Sequence, residues 1–205
     1  MEKIIKEITV YNFNELSEDA KQKAVEDYSN EYTTQEANNE MFFEDIKESF
    51  KSEYNLNIDP HYSLSYCQGD GLSFDCENLL ESKKLIEEIK SKLTTKEKTT
   101  FTKLMNKGYL YRLYIKNENH HYCFASGRDI GVDLDIPYYE KTTQLQDDVI
   151  DKTIDIVIDW YLKECKKWEQ LGYDTIYYTP TFEEFEEIAN DNGWLFLEDG
   201  GFYAC

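Results

Sequence analysis

Four aspartates in the last third of the chain are spaced four residues apart, which places side chains along one face of a helix. They are Asp147, Asp151, Asp155 and Asp159, and together they are called the acidic row. Because a helix rises about 1.5 Å per residue, successive carboxylates lie about 6 Å apart along its axis. Phosphates of one DNA strand follow one another at about 3.4 Å of axial rise, with a longer path between neighbours. The row therefore predicts a surface that pairs with the lysines and arginines of a basic partner in place of nucleic acid.

The acidic row also has a plain structural interpretation. Lys163 and Lys167 continue it toward the C-terminus, so acids precede bases along the predicted helix, which complements the helix dipole. Asp159 and Lys163 form an i,i+4 pair in the favourable order. The sequence leaves open whether the row is a solvated helix face or a binding face.

A second acidic cluster lies at the start of a short helix, α6, predicted from Thr181 to about Ala189, and is called the α6 cluster. Its members are Glu183, Glu184, Glu186 and Glu187. Thr181 and Glu184 match the capping-box pattern, which predicts a capped and exposed helix start. The sequence assigns the α6 cluster a supporting role in partner binding and keeps the capped helix start as the alternative.

Acidic residues outnumber basic ones by 42 to 22, a net charge of −20 that is unevenly distributed. Residues 1–57 carry −8, residues 58–142 carry −1 and residues 143–205 carry −11. Since like charge repels phosphate, this balance argues against direct binding to nucleic acid or to an anionic membrane. The sequence has no apolar run of about 18 residues and no apolar stretch typical of a secretory signal, which indicates a cytoplasmic protein.

Carboxylates near a glycine-rich turn and a later strand define an alternative of another class, a metal-dependent enzyme. Its candidate ligands are Asp70, Asp75, Asp133 and Asp135. Alternate positions 133 and 135 share one face of a strand, and carboxylate oxygens suit Mg²⁺ or Ca²⁺. The sequence contains no EF-hand loop, phosphate-binding glycine loop, dinucleotide-binding fingerprint or zinc-protease motif. The leading hypothesis therefore has no cofactor, no metal and no catalytic residue.

The elements that must position these residues follow from hydrophobic periodicity. The main predicted elements are helices at 18–31, 79–93 and about 143–171, strands at 62–67, 72–74, 109–115 and 130–136, and a small terminal hairpin at 194–204. Helices and hairpins are interspersed without regular βαβ alternation, which predicts an α+β fold with an antiparallel meander sheet and helices packed on one face. No linker interrupts the pattern, so residues 1–205 are expected to form a single domain.

Three stretches of the chain share a pattern with known proteins: residues 13–28, 62–74 and 185–203. In these stretches the chain resembles a family of small acidic proteins encoded by phages and prophages of low-GC bacteria. The hairpin segment, from Tyr62 through Gly69-Asp70-Gly71 to Phe74, is the most specific of the three. Some members of that family carry the label of antitoxin in a toxin–antitoxin stability system. The resemblance implies a phage-derived origin and supplies no functional residues.

A phage origin suggests a function for the acidic residues that are concentrated in the two ends of the chain. Small acidic phage proteins often occupy the nucleic-acid channels of host defence machinery, as many anti-CRISPR proteins do, which is an analogy at the level of class. The leading hypothesis is therefore a non-enzymatic inhibitor that binds a host defence nuclease or another basic nucleic-acid-binding protein. The alternative within the same class is an antitoxin-like neutraliser of a co-encoded toxin. The oligomeric state stays open, a dimer included.

Overall fold

The structure is a computed structural model and describes residues 7–110, 113–118, 122–125, 130–133 and 142–203. The described helices are α1 (Glu18–Ser29), α2 (Tyr32–Tyr54), α3 (Lys83–Ser91), α4 (Thr95–Asn106), α5 (Gln144–Ile176) and α6 (Phe182–Asn192). The described strands are β1 (Ile58–Ser63), β2 (Gly71–Cys76), β3 (Tyr114–Asn117) and β4 (Ile130–Asp133). The mixture of helices with an antiparallel sheet and one long C-terminal helix confirms the predicted α+β class.

The chain divides into two compact units. Unit 1 comprises Met1–Glu40 with Asp174–Cys205, and unit 2 comprises Met41–Tyr173. The division falls inside α2 and inside α5, so both helices contribute residues to both units. The expectation of a single domain over residues 1–205 stays a prediction.

Unit 1 is held together by an aromatic core. The Phe13 ring meets the Phe185 ring of α6 edge-on, with centroids 4.8 Å apart, and lies 5.9 Å from the Phe196 ring. Phe196 forms isolated antiparallel bridges with Tyr11 and with Phe202. The predicted terminal hairpin is therefore present as a short bridged reversal, and Tyr11 pairs with it.

Unit 2 is built on the sheet, whose strands lie in the order β1-β2-β3-β4 with every neighbouring pair antiparallel, as a meander requires. One face carries Leu72 and Phe74, both fully buried. The Phe74 ring packs against Phe50 of α2 at 4.7 Å and Tyr161 of α5 at 4.5 Å. On the other face, Asp59 and His61 are exposed. This asymmetry explains why the helices cover one side of β1 and β2.

The long helix α5 continues beyond its predicted end at about residue 171. Gly172 is buried inside the helix, and a Cβ atom there would lie 2.4 Å from Leu64 Cδ1 and 2.8 Å from Phe42 Cζ. The predicted end was wrong because Gly172 does not stop the helix; the absence of a side chain there lets α2 and the segment after β1 pack closely against α5. The helix ends at Ile176. In the described part of the chain, no helix is both long and apolar enough to cross a membrane.

Candidate protein-binding surface

The acidic row lies opposite the face of α5 that is buried in unit 2. Val149, Val157 and Trp160 are at most 1% exposed and anchor this face of the helix in the core. The helix start is fixed by Thr143, whose backbone N–H donates to Gln146 Oε1 at 2.9 Å. Because apolar residues recur at helical spacing along α5, its remaining face is directed to solvent.

The structure places three members of the acidic row in solvent and one partly inside. Asp151, Asp155 and Asp159 are exposed. Asp147 is half-buried, and its carboxylate accepts a 2.5 Å hydrogen bond from the Thr142 hydroxyl. The row is therefore a physical feature of α5, with Asp147 engaged in holding the helix start and the other three available for contact.

Two lysines near the row pair with other glutamates. Lys152 directly follows Asp151 in sequence, but its ammonium group pairs with Glu97 of α4 at 3.0 Å. Lys167 pairs with Glu164 at 3.4 Å and with Glu53 at 3.8 Å. Among the described residues, no ion pair reaches Asp151, Asp155 or Asp159. Within the described part of the chain, these three aspartates thus have no ion-pair partner.

The pairing of Lys152 is part of a fixed arrangement at the start of α4. Glu97 accepts from the Thr94 backbone N–H at 2.6 Å and completes a capping box. The Thr94 backbone N–H, and after it Lys152, lower the pKa of Glu97 to about 2. Lys152 therefore stabilises an anion on another helix, which leaves the row without the cation nearest to it in sequence.

One glutamate of the α6 cluster accepts hydrogen bonds that stabilise the start of the helix. Glu184 accepts from the Thr181 backbone N–H at 2.8 Å and from the Tyr178 hydroxyl at 2.6 Å. These bonds, led by the Tyr178 hydroxyl, lower the pKa of Glu184. The capping box predicted from Thr181 and Glu184 is confirmed. Glu183 and Glu187 are exposed and Glu186 is half-buried.

Sequence reasoning missed one acid that extends this set. Asp191 is exposed and lies four residues after Glu187, which itself lies four residues after Glu183. The i,i+4 spacing that identified the acidic row would have found this second series as well. The series belongs to unit 1, whereas the acidic row belongs to unit 2.

The structure gives Asp70, one of the candidate metal ligands, a clear structural role. Its carboxylate accepts from the backbone N–H groups of Ser65 at 2.6 Å and Cys67 at 2.8 Å, and from the Ser63 hydroxyl at 2.8 Å. These donors, led by the Cys67 N–H, lower the pKa of Asp70. The side chain thus closes the loop between β1 and β2.

Of the other three candidate ligands, the structure describes the side chain of Asp75 only. Asp75 accepts from the Asn117 backbone N–H at 3.2 Å, and its carboxylate lies 3.8 Å from His61 Nε2. Asp133 is in β4, but its side chain lies outside the described part, as does the whole of Asp135. The described residues contain no group of three or more His, Cys, Asp or Glu side chains able to hold a metal ion.

An open cleft of about 490 Å³ lies beside Asp59 and Asp75. Glu77 and Glu81 also line it, and the buried thiol of Cys76 forms part of its wall. Burial, followed by nearby carboxylates, raises the pKa of Cys76 to about 12, so this thiol is a poor nucleophile. The cleft adds a second carboxylate-lined region to unit 2.

Comparison with known proteins does not assign the chain to a class. No protein-family model, no curated protein and no solved structure matches it. The functional argument therefore depends on the geometry and the charges of the described residues.

Proposed function

We propose that this protein is a non-enzymatic, phage-derived inhibitor that acts inside a bacterial host by binding a basic nucleic-acid-binding protein, such as a defence nuclease. The acidic row is its main contact. The proposal is carried by one observation: Asp151, Asp155 and Asp159 are exposed on one helix face, and no ion pair reaches them from the described residues. The phage origin is supported only by the sequence resemblance described above.

The energetics of α5 favour a binding face over a merely solvated one. Aspartate is a weak helix former, and like charges four residues apart each cost a few tenths of a kcal/mol. The buried side of the helix offsets this cost, since Trp160 and Tyr161 are fully buried. Elsewhere the fold does place lysines against carboxylates, as in the pair of Lys152 with Glu97. Three exposed aspartates in a row, unpaired as far as the described residues show, are therefore a feature that stability alone does not require.

The same geometry determines how binding would work. A helix anchored along one side presents its carboxylates without further ordering, which lowers the entropic cost of association. Negative charge on this face accelerates association with a basic partner, and the attraction weakens as the salt concentration rises. Glu183, Glu184 and Glu187, the exposed members of the α6 cluster in unit 1, have a supporting role. Glu184 contributes less because the Tyr178 hydroxyl and the Thr181 N–H already bind it.

The test is capture of a partner from a nuclease-treated lysate of a low-GC bacterial host, followed by identification of the captured protein. Wild type is compared with the double variant Asp151→Lys, Asp155→Lys at low and high salt. A matched control is Asp45→Lys, Glu48→Lys, which changes the net charge equally at two exposed acids of α2. We expect a basic nucleic-acid-binding protein that wild type and the control retain and that the acidic-row variant loses.

Three outcomes count against the proposal. Equal capture by the acidic-row variant would remove this face from the interaction. Equal loss with the α2 control would show that net charge, not the row, is responsible. A captured toxin encoded next to this gene would replace the proposal with the antitoxin alternative. Thermal unfolding of each variant shows that loss of capture does not come from loss of folding.

A further inference from the structure

The segment that contains α3 and α4 is basic, although the chain as a whole is acidic. Residues 83–107 carry eight lysines and three glutamates, a net charge of +5, whereas the whole chain carries −20. Eight of the 22 basic residues are thus concentrated in this short segment. A basic patch on an acidic protein creates a local field that attracts negative charge.

Three lysines of this segment form a row along α4 and its C-terminal end. Lys96, Lys103 and Lys107 are spaced seven and four residues apart, which places them along one side of a helix; they are called the lysine row. All three are exposed. Phe101 and Leu104, on another side of α4, are fully buried and fix the helix in unit 2. The lysine row therefore lies on a firmly anchored helix and is directed to solvent.

The lysine row has no ion-pair partner among the residues that the structure describes. By contrast, Lys92 of the same segment pairs with Glu88 at 3.6 Å. The Lys107 ammonium group lies 5.1 Å from the centre of the Tyr109 ring. Lys96 is in the first turn of α4, where a cation opposes the helix dipole. The stability of α4 therefore does not account for the position of Lys96.

The lysine row and the acidic row begin beside the same ion pair. Lys96 directly precedes Glu97 and Asp151 directly precedes Lys152, and the side chains of Glu97 and Lys152 are 3.0 Å apart. Along the helix axes the lysine row spans about 16 Å, and the exposed part of the acidic row spans about 12 Å. Two neighbouring rows of opposite charge and similar length make this part of unit 2 self-complementary.

We infer that the lysine row binds a second copy of this chain, with the lysine row of each copy paired with the acidic row of the other. A two-fold arrangement makes both contacts equivalent. Charge complementarity favours this occupant, whereas a nucleic acid fits less well because the net charge of −20 repels phosphate. The association is weak, since exposed ion pairs each contribute little and the two chains repel each other at longer range.

The inference has a consequence for the proposed function, on which it does not depend. A second copy and a basic partner use the same acidic row, so they compete for it. The dimer therefore covers the acidic row at high protein concentration, and a partner that binds more tightly replaces the second copy.

The test is sedimentation velocity of the purified protein over a wide range of concentration, at about 0.1 M and about 0.5 M salt. Wild type should form a dimer as its concentration rises, less readily at the higher salt. The lysine-row variant Lys96→Glu, Lys103→Glu should raise the dissociation constant at least about ten-fold, because each change counts twice in a two-fold dimer. Its matched control is Lys51→Glu, Lys83→Glu, at two exposed lysines outside the row, and should behave as wild type.

The acidic-row variant Asp151→Lys, Asp155→Lys should lose dimerisation to the same extent, while its control Asp45→Lys, Glu48→Lys keeps it. The sharpest arm mixes the lysine-row variant with the acidic-row variant in equal amounts. Each reversed row then faces a row of opposite charge, so the mixture should form a dimer that neither variant forms alone. Restored association also shows that both variants are folded.

Several results would overturn the inference: a wild type that stays monomeric, a lysine-row variant that still dimerises, a matched control that loses dimerisation equally, or a mixture that fails to restore it. A labelled DNA duplex that binds wild type but not the lysine-row variant would assign the row to phosphate and overturn it as well. These measurements use the purified protein alone, so their failure leaves the proposed function standing, and failure to capture a host partner leaves the dimer standing.

Discussion

The Tyr161 hydroxyl of α5 forms hydrogen bonds with both backbone groups of Phe74 in β2. The Phe74 N–H donates to the Tyr161 oxygen at 3.0 Å, and the Tyr161 hydroxyl donates to the Phe74 carbonyl at 2.9 Å. Across the sheet, Phe74 faces Pro60 in the register with β1, and proline has no N–H to donate. One side chain of α5 thus bonds both backbone groups of a residue in the sheet.

Replacing Tyr161 with phenylalanine should therefore destabilise unit 2 by about 2 kcal/mol or more, because two fully buried backbone groups lose their partner. Urea unfolding measures this as a lower midpoint with an unchanged slope. Tyr109→Phe is a control at another buried tyrosine of unit 2. A Tyr161→Phe variant with the wild-type midpoint would contradict the role given to this hydroxyl.

A second tyrosine, Tyr54 of α2, stabilises a buried carboxyl group. Its hydroxyl donates to Glu164 Oε1 at 2.9 Å, and Glu164 is 6% exposed. Tyr54→Phe should cost about 2 kcal/mol, the usual value for a hydrogen bond to a charged group. The double variant Tyr54→Phe, Glu164→Leu tests the pair, since it removes both polar groups and should be less unstable than the sum of the single changes. Additive losses would show that the two side chains are not coupled.

Gly172 gives a prediction whose sign is opposite to the usual expectation. In an exposed helix interior, Gly→Ala stabilises by about 1 kcal/mol. At position 172 the added Cβ would meet Leu64 and Phe42, so we expect Gly172→Ala to lower the midpoint of urea unfolding. Combining it with Leu64→Ala should restore part of the loss by making room. A stabilised single variant would mean that the glycine is not needed for close packing.

The low pKa of Glu97 predicts a specific acid sensitivity. The pKa of a glutamate is ordinarily 4.5, and in the folded protein the pKa of Glu97 is about 2. The stabilisation from Glu97 is therefore complete above pH 4.5 and is lost as the pH falls toward 2. Glu97→Gln keeps the cap but removes the charge, and should make the melting temperature less dependent on pH in this window. Glu87→Gln, at an exposed residue of α3, is the matched control and should follow wild type.

The extent to which the fold could be predicted from the sequence depends on how local each signal is. The capping box at Thr181 lies within four residues, and the start of the helix predicted at 18–31 is equally local. By contrast, the sequence pattern predicted a strand at 62–67, whereas β1 spans Ile58–Ser63 and includes Pro60. Proline is acceptable there because β1 is an edge strand of the described sheet.

The candidate site was predictable in part for the same reason. The i,i+4 spacing located the acidic row, since helical spacing is a local property. Lys152 pairs with Glu97, 55 residues earlier, and not with the row. Only the tertiary structure could reveal this pairing. The sequence suggested Asp70 as a metal ligand. Its actual role, as acceptor for the backbone N–H groups of Ser65 and Cys67, depends on the conformation of the loop, which the sequence pattern does not reveal.

The central claim is that the acidic row takes the place of nucleic acid on a basic partner. The most direct measurement is a displacement titration, in which labelled DNA bound to the captured partner is released by increasing amounts of this protein. Wild type and the Asp45→Lys, Glu48→Lys control should release the DNA equally well, and less effectively as salt rises. The Asp151→Lys, Asp155→Lys variant should release at least ten-fold less at equal concentration, as expected when about two charge pairs are lost. Equal release by that variant, or binding of the partner without any release of DNA, would contradict the account.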